Sequence, residues 1–186
     1  WPVVVRQAST TQTNLTHIKA LILLIHFLQV PELAFAQDGK IEIPSFGDKY
    51  SKYVQQLGEG NLDIDYTDFR NSFLESQEFS KKGKNYYSLK KALFTEIKNS
   101  NYQGVLRITK AMLSIDYTSM FAHKYLQQTY KILGDSVNQK KYHDIEFGLL
   151  YSITGSGDGK TCKTGWHVTQ IEEEYFILLM NLLFKD

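Results

Sequence analysis

YYSLKKALFTEIKNSNYQGVLRITKAMLSIDYTSMFAHKYLQQTYKILGDSVNQKKYHDIEFGLLYSI, residues 86–153, decides the fold. Its apolar residues recur in four sets: Leu89, Ala92, Leu93 and Ile97; Val105, Ile108, Met112 and Ile115; Ala122, Leu126, Tyr130 and Leu133; Tyr142, Ile145, Leu149 and Ile153. Steps of three and four residues place each set on one face of a helix. The breaks between sets are turn chemistry. Asn99-Ser-Asn101 tolerates left-handed geometry and caps the next helix; Asp116-Tyr-Thr-Ser119 offers capping oxygens; Gly134-Asp135-Ser136 supplies a C-cap glycine and then an N-cap side chain. Two helical hairpins are therefore predicted, 86–119 and 120–153.

The spacing repeats. Asn101 and Asp135 close equivalent turns 34 residues apart, the period of tetratricopeptide repeats, whose helix pairs stack on one another's apolar faces. Tyr130-x-x-x-Gly134-Asp135 resembles the end of that repeat's first helix. Positions that should be small hold Leu93, Val105 and Met112 in the first pair and Gln127, Gln139 and Glu146 in the second. The expected fold class is mainly α: a degenerate, tetratricopeptide-like stack of antiparallel helix pairs. A short extended or β segment is expected near the C-terminus. Two pairs are too few to stand alone, so flanking helices must cover the ends.

The chain has 186 residues, 42% hydrophobic and 13% aromatic, which is enough to bury a core and argues against disorder. Its net charge of +1 gives no global field for nucleic acid or an anionic membrane. Leu15-Thr-His-Ile-Lys19, the apolar run Ala20 to Val30, and Ala34-Phe-Ala36 form the three regions of a signal peptide over 15–36. The run is too short to span a bilayer. Translation is expected to start at Leu15, with 1–14 as upstream read-through. Without residues 1–36 the chain lacks Arg6, Lys19 and Glu32 and has 19 basic and 19 acidic residues. A periplasmic or secreted protein without a stable membrane anchor is expected. Cys162 has no internal disulfide partner and is read as a buried, inert thiol, the alternative being a reactive one.

Residues 37–47 read as a linker, and 48–186 as one domain. Tyr50, Tyr53, Val54 and Leu57 define a short helix stopped by Gly58-Glu-Gly60. Asp65 or Thr67 caps a second helix that carries Phe69, Phe73 and Leu74. Lys81-Lys-Gly-Lys84 reads as a solvated loop, basic together with Lys90 and Lys91. Residues 154–186 begin with Thr154-Gly-Ser-Gly-Asp-Gly-Lys-Thr161, whose spacing and helical context fail the phosphate-loop pattern. It is read as a structural corner. Trp166 to Ile171 alternates as a strand or extended arm. Tyr175 to Phe184 is almost wholly apolar and fits a helix or a second strand.

Asp65-Tyr66 with Phe69-Arg70, Ala122-His123, Leu149-Leu150 with Ser152-Ile153, and above all Ser156-Gly-Asp-Gly159 followed by Thr164, Val168, Ile171 and Glu173-Glu-Tyr175 carry a resemblance. On these residues, across about 50–180, the chain resembles the exported bacterial family called domain of unknown function 4919. Cys162 and Gly165 depart from the proline and alanine common there. The resemblance implies a tetratricopeptide-like helical body and a chain that continues beyond Asp186. It brings no catalytic residues.

No nucleophile-elbow pattern and no close Cys/His ligand pair is present. His123, His143 and Glu146 form one metal candidate, two imidazoles and a carboxylate brought to one hairpin; packing within the hairpin explains them more cheaply, so neither metal nor cofactor is expected. Asp63, Asp65 and Asp68 match no cation loop and read as caps. The functional cluster singled out is Arg70, Asp158, Glu173, Glu174 and Tyr175, in which two carboxylates would face one cleft as an acid/base pair, or one would form a structural ion pair with Arg70. The expected function is a non-catalytic binding module for a protein or peptide partner, using a helical-hairpin surface. The alternative is a cell-envelope hydrolase using Asp158, Glu173 and Glu174. A groove rich in aromatic and amide groups would favour the first; a closed polar pocket would favour the second.

Overall fold

The computed structural model describes residues 40–44 and 47–183. The upstream segment 1–14, the signal peptide 15–36, much of the linker 37–47 and Phe184 lie outside the described residues. Among the described residues there are eight helices: α1 (Lys49–Glu59), α2 (Tyr66–Leu74), α3 (Gln77–Lys81), α4 (Gly83–Lys98), α5 (Tyr102–Ile115), α6 (Met120–Ile132), α7 (Ser136–Thr154) and α8 (Ile171–Leu183). The protein is mainly helical.

The four stripes become α4 to α7, and each of these helices packs on the next. Leu93, Met112, Leu126, Ile145, Leu149 and Ile153 are sealed from solvent. Leu133 is the exception, exposed because it falls on the C-cap of α6 rather than within the helix. The turns follow the expected chemistry. Ser100 and Gly134 take positive φ, 54° and 79°. Asn101 and Asp135 come next with nearly the same torsions, φ −84° and ψ 79° against φ −86° and ψ 83°. In both turns the next amide reaches back five residues, Asn101 N–H to the Glu96 carbonyl and Asp135 N–H to that of Tyr130, which ends the helix. The same two side chains then cap the following helix, accepting from the amides of Gly104 and Asn138. Ser119 does this for α6 through the amide of Ala122.

The flanking helices cover the stack. α2 packs on α7, α3 on α5, and α8 on α6. Asp65, not Thr67, caps α2. Lys81–Lys84 is not a loop: α3 ends at Lys81 and α4 begins at Gly83. Lys82 is buried, because it continues the inward stripe of Tyr86, Leu89 and Leu93 backward by one turn.

The expected β character is corrected. No strand occurs among the described residues, and Tyr175 onward is helical. Residues 165–168 are irregular, and their neighbourhood is satisfied by side chains in place of a ladder: His167 N–H donates to Ser156 Oγ at 2.8 Å and Thr169 N–H to Glu173 Oε2 at 2.6 Å. The corner before them closes on itself. Asp158 N–H and Gly159 N–H both donate to the Thr164 carbonyl at 2.9 Å, and Trp166 Nε1 donates to the Gly157 carbonyl at 3.0 Å. Those two amides are turned inward, which is the opposite of a phosphate cradle.

Candidate functional site

Arg70 projects from α2 into the core and is 1% exposed. Its guanidinium grips Glu173 with two parallel bonds, Nε to Oε1 and Nη2 to Oε2, each 2.8 Å. Nη2 also donates to the His167 carbonyl at 2.9 Å, and Nη1 to Ser152 Oγ at 3.2 Å. Glu173 further accepts from the amide and hydroxyl of Thr169. One buried ion pair thus ties α2, the end of α7 and the start of α8. Burying two charges is costly unless every donor and acceptor is used; here both carboxylate oxygens and all three guanidinium nitrogens are engaged.

The expected cluster therefore divides. Arg70 and Glu173 meet in the core. Asp158, Glu174 and Tyr175 are exposed. Asp158 lies at the corner, where its Oδ1 accepts the Lys160 amide at 3.0 Å. Hydrogen bonds from Thr164 and Lys160 hold its carboxyl below the usual range. Glu173, fully committed to Arg70 and Thr169, has no lone pair poised for a substrate.

Tyr175 instead belongs to an open cleft of about 520 Å³ between the α3–α4 junction and the start of α8. Phe79, Tyr87, Ile171 and Tyr175 supply its apolar walls, and Lys82, Lys90, Gln170 and Glu172 its polar groups. Lys82 organises the floor. Its ammonium donates to Gln170 Oε1, lies 2.8 Å from Asp116 Oδ2 and 3.9 Å from Glu172 Oε2, and sits 4.8 Å above the Tyr86 ring. Tyr87 Oη donates to Glu172 Oε1 at 3.0 Å, and this bond raises the Tyr87 pKa. Burial opposes the Glu172 charge, but Lys82, the Glu172 amide and Tyr87 together hold its carboxyl low. The site is a fixed polar floor beneath exposed aromatic rims.

His123, His143 and Glu146 do not converge. His123 is fully buried against Tyr117 and Tyr142, with Nε2 2.8 Å from the Tyr117 carbonyl. Burial pushes its pKa down to about 4. Glu146 is 1% exposed, and burial pushes it up to about 7 against the opposing pull of Lys124. His143 stays near the surface, stacked on Phe147 beside Asp144. No group of three His, Cys, Asp or Glu among the described residues is arranged to hold a metal. His123 Nδ1 and Glu146 Oε2 are buried without hydrogen-bond partners.

Sequence reasoning missed Lys82, Tyr87 and Phe79. The signal for Lys82 was its place four residues before Tyr86, on the inward stripe. Nothing local marks Tyr87, whose role depends on α8 arriving opposite it.

No curated protein and no solved structure matches the chain. The family described as Domain of unknown function (DUF4919) matches residues 49–185, nearly the whole of the helical body with Arg70, Glu173 and both walls of the cleft, and the chain belongs to that family.

Proposed function

We propose that this protein is an exported, non-catalytic binding module that takes a polypeptide segment with an apolar anchor side chain into the cleft beside α8. The observation that carries this reading is the exposure at one cleft of Tyr87, Ile171 and Tyr175, at 59%, 69% and 69%. Scattered exposed apolar residues are ordinary, but a contiguous set is a mark of an interaction surface. Aromatic rims bury large area at low entropic cost, and the Lys90 ammonium on the cleft wall adds a hydrogen-bond donor for a peptide backbone. The surface continues along α8 through Leu178 and Leu179, one helical stripe with Ile171 and Tyr175. The equivalent turns at Asn101 and Asp135 support the finer reading of the body as a tetratricopeptide-like stack, an architecture suited to holding polypeptides. Export rests on the three-part pattern in 15–36. Among the described residues no helix is long and apolar enough to cross a membrane.

Peptide display against the purified protein tests the function. Selection should enrich sequences sharing an aromatic or aliphatic anchor, and their binding should fall at least about tenfold in Tyr87→Ala/Tyr175→Ala, as for loss of hot-spot side chains. Enriched peptides that bind the double variant as well as the parent would contradict it.

A further inference from the structure

A second cavity, of about 490 Å³, shares no lining residue with the cleft. It lies where the segment 40–43 passes α1, α5 and α7, and Tyr117, Tyr130, Tyr142, Lys40, Lys110 and Lys141 are among its lining residues. The three tyrosines are 2%, 8% and 7% exposed. Among the described residues none of their hydroxyls has a protein hydrogen-bond partner, and each hydroxyl oxygen still reaches solvent. Their rings are buried while their hydroxyls stay open to a ligand. All three line the same cavity. Burial raises all three pKa values, so they remain O–H donors at neutral pH.

The lysines tell the same story. Among the described residues none of Lys40, Lys110 and Lys141 lies within 4.0 Å of a carboxylate. Lys141 donates to the Gly58 carbonyl at 2.8 Å and lies 5.8 Å from the Tyr142 ring centre; Lys110 lies 5.9 Å from that of Tyr130. Opposing them are Glu59, on the cavity wall, and Asp135 beside Tyr130, whose carboxylate is held by the amide and side chain of Asn138. The balance among these groups is positive. Burial pushes the Lys141 pKa down.

We propose that this cavity binds a small organic oxyanion, a carboxylate or phosphate group held by Lys110, Lys141 and the tyrosine hydroxyls, on an apolar body packed against Ile41, Ile43 and Val54. Cavities of this size hold small ligands with a few fixed polar groups on apolar walls, and charge-assisted hydrogen bonds supply the selectivity.

Two-dimensional amide NMR of the isotope-labelled protein tests it with four probes: phenyl phosphate, phenylacetate, inorganic phosphate and uncharged benzyl alcohol. Phenyl phosphate or phenylacetate should cause saturable shifts in residues 110, 117, 130 and 138–142, weakened by added salt. Whichever is tighter names the group, and inorganic phosphate should bind more weakly than phenyl phosphate. Lys110→Gln/Lys141→Gln should weaken binding at least about tenfold, the scale of one charge-assisted bond. Tyr142→Phe, which keeps the ring in the core, should weaken it by a smaller factor. Absence of saturable shifts, equal binding of benzyl alcohol, or binding that survives both variants in folded protein would overturn the proposal.

Discussion

At the scale of single residues, the buried ionisable groups divide into satisfied and unsatisfied ones. Arg70 and Glu173 complete each other. Glu146 and His123 do not, and their pKa values move in opposite directions. Between about 4.5 and 7 the unfolded chain has lost the Glu146 proton that the folded chain keeps, so stability falls as pH rises through that window. Between about 4 and 6.5 the unfolded chain holds a His123 proton that the folded chain lacks, so stability falls as pH drops. The two slopes largely cancel near pH 5 to 6. Glu146→Gln removes one of them. Urea unfolding across that range should then show stability rising with pH, with a difference from wild type approaching about 3 kcal/mol by neutral pH. Parallel profiles for the two proteins would show that Glu146 is ionised in the fold. From sequence, the Arg70–Glu173 pair was visible only as one option among three consecutive glutamates. Choosing Glu173 needs the phase of α8, and that helix is apolar on both faces, with Phe176, Ile177 and Met180 buried and Ile171, Tyr175, Leu178 and Leu179 exposed. Periodicity then carries no direction.

At the scale of elements, the phase of α4 to α7 was legible because each carries an apolar stripe at helical spacing, although Phe94, Ile132, Val137 and Tyr151 also leave apolar side chains exposed, and their ends were legible because Asn101, Ser119 and Asp135 are strong caps. Lys82 was misread because a lysine run suggests solvent, although the step to Tyr86 and Leu89 places it inward. At the glycine corner two glycines meet two different needs. Gly159 needs positive φ, 69°, but Gly157 does not; it is constrained by space, since a Cβ there would stand 2.2 Å from the Thr164 carbonyl oxygen. That neighbour is backbone and cannot rotate away. Gly157→Val should therefore cost about 2 kcal/mol or more, whereas Lys160→Ala, on the exposed side of the same corner, should stay within about 0.5 kcal/mol. Thermal unfolding of the two variants side by side checks this, and equal effects would mean that the corner is not closed on Thr164.

At the scale of the whole molecule, the cleft exists because α8 is fastened across the body. One wall belongs to α3 and α4 and the other to α8, and Arg70 on α2 holds the start of α8 through Glu173 and the His167 carbonyl. This long-range assembly was the part least legible in sequence, since it joins residues 103 apart that share no local pattern. Glu173→Gln tests it. Removing one partner of a buried pair leaves an uncompensated charge, with a penalty of about 3–5 kcal/mol, and that penalty should appear where the pair acts. The direct measurement is amide hydrogen exchange of Glu173→Gln against the parent, resolved by helix. The account predicts protection lost in residues 165–183 while α4 to α7 keep theirs. Unchanged protection in α8, or an equal loss across α4 to α7, would contradict the claim that this ion pair builds the cleft.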